Sequence, residues 1–444
     1  MEIIRAGATP SVIITAGTFG RGGAERQAFL LATELANRGL SVTVTSFRPK
    51  PRSSSFDFDI TREFPDISVE YLAPWFFRPA RFIYRNFRRP RSGKDVPSWP
   101  PNARPIGVVA ESARARLLQF FSWTLVPFQN REVRGLIAEL MGFSLEVGIE
   151  AVSLIRWVKK KGSTLLIGFL PNANAVTTIA GLATKVPVVV SERNDLNKSP
   201  QPDMVRWLLL NCYPHAELVT ANTKFAATQI QKMLPAKRIA WQPNRQSFPP
   251  PSLPLQNLSF DLNVISRLAP QKRVHTIVEA LAILHEFGYR LTLNIYGEGP
   301  EEATLRALAH KVNLAEYVNF HGYLPVSNIY GGQRPPGLYV TNSEYEGSSN
   351  SLHEAVANGF LPVIANTVSE AFDILREALV NELITDGSAT SIAEKIKRLV
   401  ESKSVMNVQE QVVEDFVNYW ENGRSALRQF IETCEVLATR EHVK

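Results

Sequence analysis

The sequence predicts an α/β protein built from two Rossmann-like domains, each a doubly wound parallel sheet, which face each other across a cleft. Three observations support this prediction. Short apolar runs typical of buried strands alternate with segments of helical spacing along most of the chain. The alternation stops at a proline-rich stretch, QPNRQSFPPPSLPLQ at 242–256, and then starts again. The length of 444 residues also exceeds what one hydrophobic core usually serves.

The first domain is predicted over residues 1–245. SVIITAG at 11–17 is typical of a buried strand, and a glycine-rich turn and a helix that ends at a glycine follow it. The same order returns with TLLIGFL, PVVVSER and AELVTAN as strands. A strand, a crossover helix and a parallel strand form a right-handed unit, so these segments build one parallel sheet. Residues 48–160 do not follow this order and are predicted to form an insertion.

The second domain is predicted over residues 257–405, after a proline-rich linker at 246–256. Its predicted strands are FDLNVISRL, YRLTLNIYG, YVNFHG, GLYVTN and LPVIAN, and helical segments separate them. Residues 406–444 have the spacing of one or two closing helices.

The composition restricts the class of protein. With 45% hydrophobic and 20% charged residues, the chain is expected to fold rather than to remain disordered. Cys212 and Cys434 suggest neither a disulfide framework nor a zinc site, so a cytoplasmic location is expected. The N-terminus lacks the pattern of a secretory signal, and no apolar run is long enough to span a bilayer. The net charge of +7 favours anionic partners.

Candidate anion-binding residues follow two strands of the second domain. In ISRLAPQKRV, Arg267 ends a strand and Lys272 follows near the start of a helix. Ligands of α/β domains bind beyond the carboxyl ends of the strands, so both cations could hold one anion; the alternative is two solvated residues on a loop. Gly297 and Gly299 in IYGEGP resemble a phosphate-binding turn. They equally fit a tight turn with Pro300 at the first helical position.

The segment SEYEGSSNSLHEAVANG at 343–359 places two carboxylates, Glu346 and Glu354, around a turn of small residues. Such a turn lets backbone N–H groups approach a ligand, and the N-terminus of the following helix favours an anion such as a diphosphate. Carboxylates are good acceptors for sugar hydroxyls. The alternatives are a capping box from Ser351 to Glu354, and an ordinary surface carboxylate at Glu346.

The order of these motifs resembles the donor-binding domain of retaining, nucleotide-sugar-dependent glycosyltransferases of family 4, which have the two-domain GT-B fold. The order is SRLxxxK, YGxGP, FHG, SxYEG and a second glutamate eight positions on in EAxANGxxPVIA. The similarity covers residues 262–366 and extends to the first domain through GGAERQAFLLATELANRG, SERND and YPHAELVTANTKFA. The last two pieces are similar to bacterial enzymes that build capsule, lipopolysaccharide O-antigen, exopolysaccharide or protein-linked glycans.

The resemblance implies transfer of a hexose or N-acetylhexosamine from a UDP- or GDP-sugar to a glycan acceptor, which is expected to be lipid-linked. The transfer would retain the anomeric configuration and need no metal or other cofactor. The implied catalytic residues are Glu346, Arg267 and Lys272. The implied donor-binding residues are Glu354, Gly347, Ser348, Ser349, Gly297, His321 and Gly322. The implied acceptor-side residues are Gly22, Gly23, Arg26, Glu192, Arg193 and Asn194.

The insertion suggests a membrane partner. From Arg78 to Lys94 the chain has seven basic residues and no acidic one, with aromatic residues between them. Such a segment favours an anionic membrane surface, so peripheral attachment at the inner face of the cytoplasmic membrane is expected. An apolar helical face at 117–128 fits shallow insertion or, alternatively, core packing. Nucleic acid is not expected, because no recognised module accompanies the charge.

Three segments depart from the family pattern: PNRQ at 243–246, GGQRPPG at 331–337, and TVSEAFDIL after Asn366. The last of these replaces a glycine-rich turn that faces the donor in the family, so the donor sugar stays open. Two other functions compete. One is another GT-B enzyme, such as a nucleotide-sugar epimerase, and the other is a non-catalytic, membrane-associated relative that binds a nucleotide-sugar.

Overall fold

The computed structural model describes residues 9–16, 19, 23–47, 60–72, 145–193, 211–245, 249–251, 253, 255, 257–330 and 335–440.

The N-terminal domain is a parallel sheet with helices on both faces. Its strands are β1 Ser11–Thr15, β2 Ser41–Ser46, β3 Ser68–Tyr71, β4 Leu165–Phe169, β5 Val188–Glu192, β6 Leu218–Ala221 and β7 Ile239–Trp241. Its helices are α1 Gly23–Asn37, α2 Leu145–Lys161, α3 Pro171–Thr184 and α4 Lys224–Met233. The strand order is β3-β2-β1-β4-β5-β6-β7. Successive residues of β1 point to opposite faces, so Val12 and Ile14 pack with α1, while Ile13 packs with α2 and α3.

The C-terminal domain repeats this architecture. Its strands are β8 Leu262–Ile265, β9 Leu293–Tyr296, β10 Val318–Gly322, β11 Leu338–Thr341, β12 Leu361–Ala365 and β13 Ile384–Thr385. Its helices are α5 Val274–Glu286, α6 Glu302–Lys311, α7 Val326–Tyr330, α8 Asn350–Ala357, α9 Ala371–Ile374, α10 Glu377–Leu383 and α11 Ala389–Glu401. The strand order is β10-β9-β8-β11-β12-β13, and all pairs are parallel. The predicted fold class is therefore confirmed.

One long helix closes the molecule. Helix α12, Val405–Thr439, begins on the C-terminal domain, where Phe416 is buried in that domain's core. It then crosses to the N-terminal domain, where Phe430 and Cys434 are buried beside α1. The predicted closing segment is thus a single helix, and its apolar positions are shared between two cores.

The predicted insertion at 48–160 needs a correction at both ends. Strand β3 pairs with β2 at the edge of the sheet, and α2 packs against α3 as part of the N-terminal core. The sequence SVEY alternates polar and apolar residues, because an edge strand is half exposed. The alternation covers only four positions and is too short to predict a strand. The segments Arg78–Lys94 and 117–128 lie outside the described residues. None of the helices in the described part of the chain is long and apolar enough to cross a bilayer.

The strand order reverses between β1 and β4 in the first sheet and between β8 and β11 in the second. In open α/β sheets, ligands bind beyond the carboxyl ends of the strands at such a reversal. The loops that follow these strands therefore position the candidate site.

Candidate functional site

The turn after β11 brings the two domains into close contact. A Cβ added to Gly347 would lie 2.2 Å from the carbonyl oxygen of Arg193 and 2.9 Å from Nδ2 of Asn222. Real Cβ atoms are essentially never found this close to another heavy atom. Glycine at this position is therefore what lets the C-terminal domain rest directly on the backbone of the N-terminal domain.

The first glutamate of the turn, Glu346, pairs with Lys272. Nζ of Lys272 lies 2.7 Å from Oε1 of Glu346, and both side chains are mostly buried. The other carboxylate oxygen, Oε2 of Glu346, is buried and has no hydrogen-bond partner among the described residues. A bridge between the backbones of Glu346 and Val368 holds the segment in place. One oxygen is thus anchored by a cation while the other can accept a hydrogen bond from a ligand.

The second glutamate, Glu354, faces the other domain. Its Oε1 lies 3.4 Å from Nη1 of Arg26, which projects from the first turn of α1. Burial raises the pKa of Glu354, and the charges of Arg26 and His353 oppose this rise. The predicted capping box is wrong, because Ser349 is the N-cap residue of α8 and accepts from the N–H of Leu352. Glu354 therefore lies in the second turn of the helix, where its carboxylate does not cap it.

Asn350 joins the two domains, and sequence reasoning missed it. Its Oδ1 accepts from Nδ2 of Asn244 at 2.8 Å and from Nε2 of Gln27 at 3.4 Å. Gly23 lies so close that a Cβ there would meet Nδ2 of Asn350 at 3.0 Å. The first turns of α1 and α8 therefore face each other. Asn244 belongs to the PNRQ departure, so this unusual sequence supplies a contact between the domains.

Buried polar atoms without hydrogen-bond partners among the described residues lie close together beyond β8 and β11. Ser266 Oγ, Asn342 Oδ1 and Ser343 Oγ are buried without a hydrogen-bond partner among the described residues. Ser266, Asn342 and Ser343 line one small cavity together with Lys272. Arg267 is exposed on the same loop. Buried polar groups are normally paired, so this cluster indicates a place where a polar ligand supplies the missing partners.

Two glycines bring the neighbouring loops together. Gly297 has a φ of 143°, and an added Cβ would lie 1.9 Å from the carbonyl oxygen of Ser266. Its N–H donates to the carbonyl of Gly322 at 2.8 Å, so the loops after β8, β9 and β10 are joined. His321 stacks on Tyr296 with ring centroids 4.6 Å apart. Helix α6 begins at Glu302, two residues beyond the proline that was expected to open it.

The residues of the SERND motif support the cleft wall from behind. Glu192 is fully buried and accepts from the hydroxyl of Tyr213 at 2.7 Å, so its side chain does not line the cleft as expected. The guanidinium of Arg193 lies over the ring of Phe169 and donates to Oδ1 of Asn244 at 2.8 Å. Burial lowers the pKa of Arg193 to about 9, against the attraction of Glu192. The carbonyl oxygen of Arg193 accepts from Nδ2 of Asn222 at 3.3 Å and lies beside Gly347, at the contact between the domains.

Two predicted residues, Gly22 and Asn194, lie outside the described residues. The other predicted residues lie on loops, at strand ends or in the N-terminal turns of helices at the facing edges of the two sheets, apart from the correction for Glu192. A further correction concerns Ser349, whose N–H donates to Glu370 at 2.8 Å and is not free to bind a phosphate. The N–H groups of Gly347 and Ser348 take part in no hydrogen bond among the described residues.

The arrangement suits an anion with attached hydroxyl groups. Lys272 and Arg267 on the loop after β8, and the N-terminus of α8, supply positive charge at the carboxyl edge of the C-terminal sheet. Glu346 and Glu354 supply hydrogen-bond acceptors on either side of it. Two doubly wound domains with such a site between the carboxyl edges of their sheets define the GT-B class of protein.

The comparisons with known proteins concern the C-terminal domain first. Residues 253–415 match the family described as glycosyl transferases group 1. This match confirms the resemblance to family 4-type glycosyltransferases that the motifs predicted.

Relatives and solved structures agree with this assignment. Over 192 residues the chain is 29% identical to the UDP-N-acetylglucosamine–peptide N-acetylglucosaminyltransferase GtfA subunit of Streptococcus parasanguinis, covering 41% of this chain but only 37% of that protein. The structure of Anabaena HepE in complex with UDP-glucose is similar with a TM-score of 0.61 and 15% identity, over 96% of this chain and 99% of that one. A Staphylococcus aureus TarM variant in complex with Fondaparinux, alpha-GlcNAc-glycerol and UDP is similar with a TM-score of 0.63 and 12% identity, over 97% and 100% of the two chains. At these identities the two structures bear on the fold alone.

Proposed function

We propose that this protein is a retaining glycosyltransferase that moves a hexose or N-acetylhexosamine from a UDP-sugar to a glycan acceptor. The observation that carries the proposal is the pair formed by Lys272 and Glu346. One carboxylate oxygen is held by the lysine at 2.7 Å, and the other is buried and unpaired. A cation for the diphosphate and an acceptor for a sugar hydroxyl are thus presented side by side, directly at the contact between the domains.

The donor diphosphate would lie against Lys272, Arg267 and the N-terminus of α8. The N–H groups of Gly347 and Ser348 have no other partner among the described residues and would add hydrogen bonds to it. Glu354 would accept from the ribose hydroxyls.

The base of the nucleotide would lie in the loops of the C-terminal domain. Gly297 follows β9, His321 and Gly322 end β10, and a backbone hydrogen bond between Gly297 and Gly322 joins the two segments. Their position beside the cavity of Ser266 supports a single binding groove for the whole nucleotide.

The chemical step breaks the bond between the anomeric carbon and the β-phosphate oxygen. The sugar passes through an oxocarbenium-like state while negative charge collects on the diphosphate, where Lys272 and Arg267 stabilise it. The departing phosphate oxygen takes the proton of the acceptor hydroxyl, which attacks from the same face, so the configuration is retained. The two cations fill the role that a metal ion has in other transferases, and we propose that no metal is required. Close contact of the domains at Gly347 would exclude water from the donor.

The identity of the substrates rests on relatives and on the sequence. UDP is preferred to GDP, because the curated relative is named for UDP-N-acetylglucosamine and the two similar structures contain UDP-glucose and UDP. UDP-N-acetylglucosamine is accordingly the first donor to test. A lipid-linked glycan acceptor at a membrane surface is proposed from the basic segment Arg78–Lys94.

The test is a transfer assay with a panel of UDP- and GDP-sugars and an extract of lipid-linked glycans, with and without EDTA. One UDP-sugar should give a product whose anomeric linkage, read by NMR, has the configuration of the donor, and EDTA should not change the rate. An inverted linkage would overturn the proposed mechanism. Conversion of a nucleotide-sugar without any acceptor would favour an epimerase, and tight nucleotide binding with no turnover would favour a non-catalytic relative.

A further inference from the structure

The loop after β12 contains a buried carboxylate, Glu370, which the motifs did not single out. Glu370 is fully buried. Its Oε1 accepts from the hydroxyl of Ser348 at 2.6 Å and from the hydroxyl of Tyr419 at 2.8 Å, and it lies 3.0 Å from Nε2 of His353. Its Oε2 accepts from the N–H of Ser349 at 2.8 Å. A buried carboxylate is costly unless hydrogen bonds compensate it, and here both oxygens have partners.

We propose that Glu370 is a positioning residue that holds the phosphate-binding turn in the conformation that receives the donor. This inference rests on the proposed function. Two of the groups that Glu370 accepts from, the hydroxyl of Ser348 and the N–H of Ser349, belong to the turn itself. By turning these two donors inward, Glu370 leaves the N–H groups of Gly347 and Ser348 for the ligand.

The same loop is attached to the turn at further points. The hydroxyl of Thr367 donates to the carbonyl of Ser343 at 2.5 Å, and the backbone of Val368 bridges to that of Glu346. The segment TVSEAFDIL, which departs from the family pattern, is therefore connected to the turn through Thr367, Val368 and Glu370. It supplies a support that the sequence did not lead us to expect.

The negative charge of Glu370 favours a positioning role over direct contact with the ligand. A carboxylate behind a phosphate site repels the ligand unless its charge is spread over local donors. The three hydrogen bonds and the nearby His353 ring do this for Glu370. Glutamine has the same shape but no charge and only one acceptor oxygen. If that oxygen accepts from the N–H of Ser349, the NH₂ group faces the hydroxyls of Ser348 and Tyr419, which must rotate to accept from it. Both contacts with the turn would then lose the strength that the carboxylate charge gives them.

The variant to test is Glu370→Gln, with Tyr419→Phe as the matched control. Tyr419→Phe removes one hydrogen bond from the same carboxylate but leaves both bonds to the turn intact. Both variants should lower the melting temperature, since each loses a buried hydrogen bond. UDP binding, measured by isothermal titration calorimetry, should weaken about tenfold in Glu370→Gln and less than twofold in Tyr419→Phe.

A double-mutant cycle sharpens the test. Ser348→Ala removes the partner of Glu370 on the turn, so its effect on UDP affinity should not add to that of Glu370→Gln. Unchanged UDP affinity in Glu370→Gln, or equal losses in Glu370→Gln and Tyr419→Phe, would overturn the positioning role while the proposed function stands. A wild-type protein that binds no UDP would refute the proposed function itself, and the positioning role with it.

Discussion

Replacing Gly347 by alanine should separate the two domains. The added Cβ would lie 2.2 Å from the carbonyl oxygen of Arg193 and 3.0 Å from its carbonyl carbon. Both atoms belong to the backbone at the end of β5, in the middle of the N-terminal sheet, and cannot rotate away as the tip of a side chain could. The methyl group is therefore accommodated only if the domains move apart.

The size of the effect follows from the distance. Close carbon–oxygen contacts in proteins lie at about 3.3–3.6 Å, so the backbones must separate by about 1 Å. A misplacement of about 1 Å between reacting groups can cost roughly 100-fold in rate. The donor is proposed to bind mainly to the C-terminal domain, whose own structure is not changed. Turnover should therefore fall about 100-fold while the affinity for UDP changes less than about threefold.

The assay compares kcat at saturating donor with the Kd of UDP from calorimetry. Gly423→Ala is the matched control, because the same substitution there places the methyl group 3.4 Å from Cγ of Pro243, an ordinary contact distance. This control should retain the wild-type kcat. A Gly347→Ala variant with wild-type kcat, or one whose UDP affinity falls as far as its turnover, would refute the argument that glycine is needed for contact between the domains.

Three other variants test the electrostatics of the cleft. Lys272→Met should lower kcat by about 100- to 1,000-fold, because it removes charge that stabilises the leaving diphosphate; steady-state kinetics on a variant shown by circular dichroism to be folded would check this, and a fully active variant would disprove it. Glu354→Gln should raise the donor KM roughly tenfold and change kcat little, since it weakens an acceptor for the ribose hydroxyls; an equal loss in kcat would contradict that role. Asp373 of α9 accepts from the N–H of Lys224 in the N-terminal domain at 2.7 Å. Burial raises the pKa of Asp373 to about 6 from 3.8, so its contribution to stability is fully present below about pH 4 and is lost as the pH rises through 6. Asp373→Asn should therefore be more stable than the wild type at pH 8, by roughly 1–3 kcal/mol, and equally stable at pH 4; thermal melts at both pH values would show a constant difference if the reasoning is wrong.

Much of the fold could be predicted because its strands are buried on both faces. SVIITAG, TLLIGFL and PVVVSER are short apolar runs, and the structure places β1, β4 and β5 within them. Edge strand β3 escaped prediction because it is half exposed and four residues long. The helix at Leu145–Lys161 was missed for a different reason, since it lies at the end of a long stretch that lacks the alternating pattern.

The structure brings predicted site residues together where a motif carries its own chemistry, and it adds residues whose contacts are distant in sequence. Glu346 and Lys272 follow neighbouring strands of one parallel sheet. Their contact could be expected, because the carboxyl ends of such strands lie at the same edge of the sheet. Asn350 and Asn244 are ordinary polar residues whose meeting depends on how the domains face each other. Glu370 is buried only because residues from the turn and from α12 surround it. No local pattern indicates contacts of this kind.

The measurement that tests the central claim most directly is acceptor-dependent release of UDP from a UDP-sugar. Wild type, Glu346→Ala and Glu344→Ala would be run side by side, because Glu344 is an exposed carboxylate two residues away in the same turn. Release by the wild type and by Glu344→Ala, with a loss of at least 100-fold in Glu346→Ala, is the predicted result. Release that persists in Glu346→Ala, or that never depends on an acceptor, would contradict the assignment of this cleft as the site of glycosyl transfer.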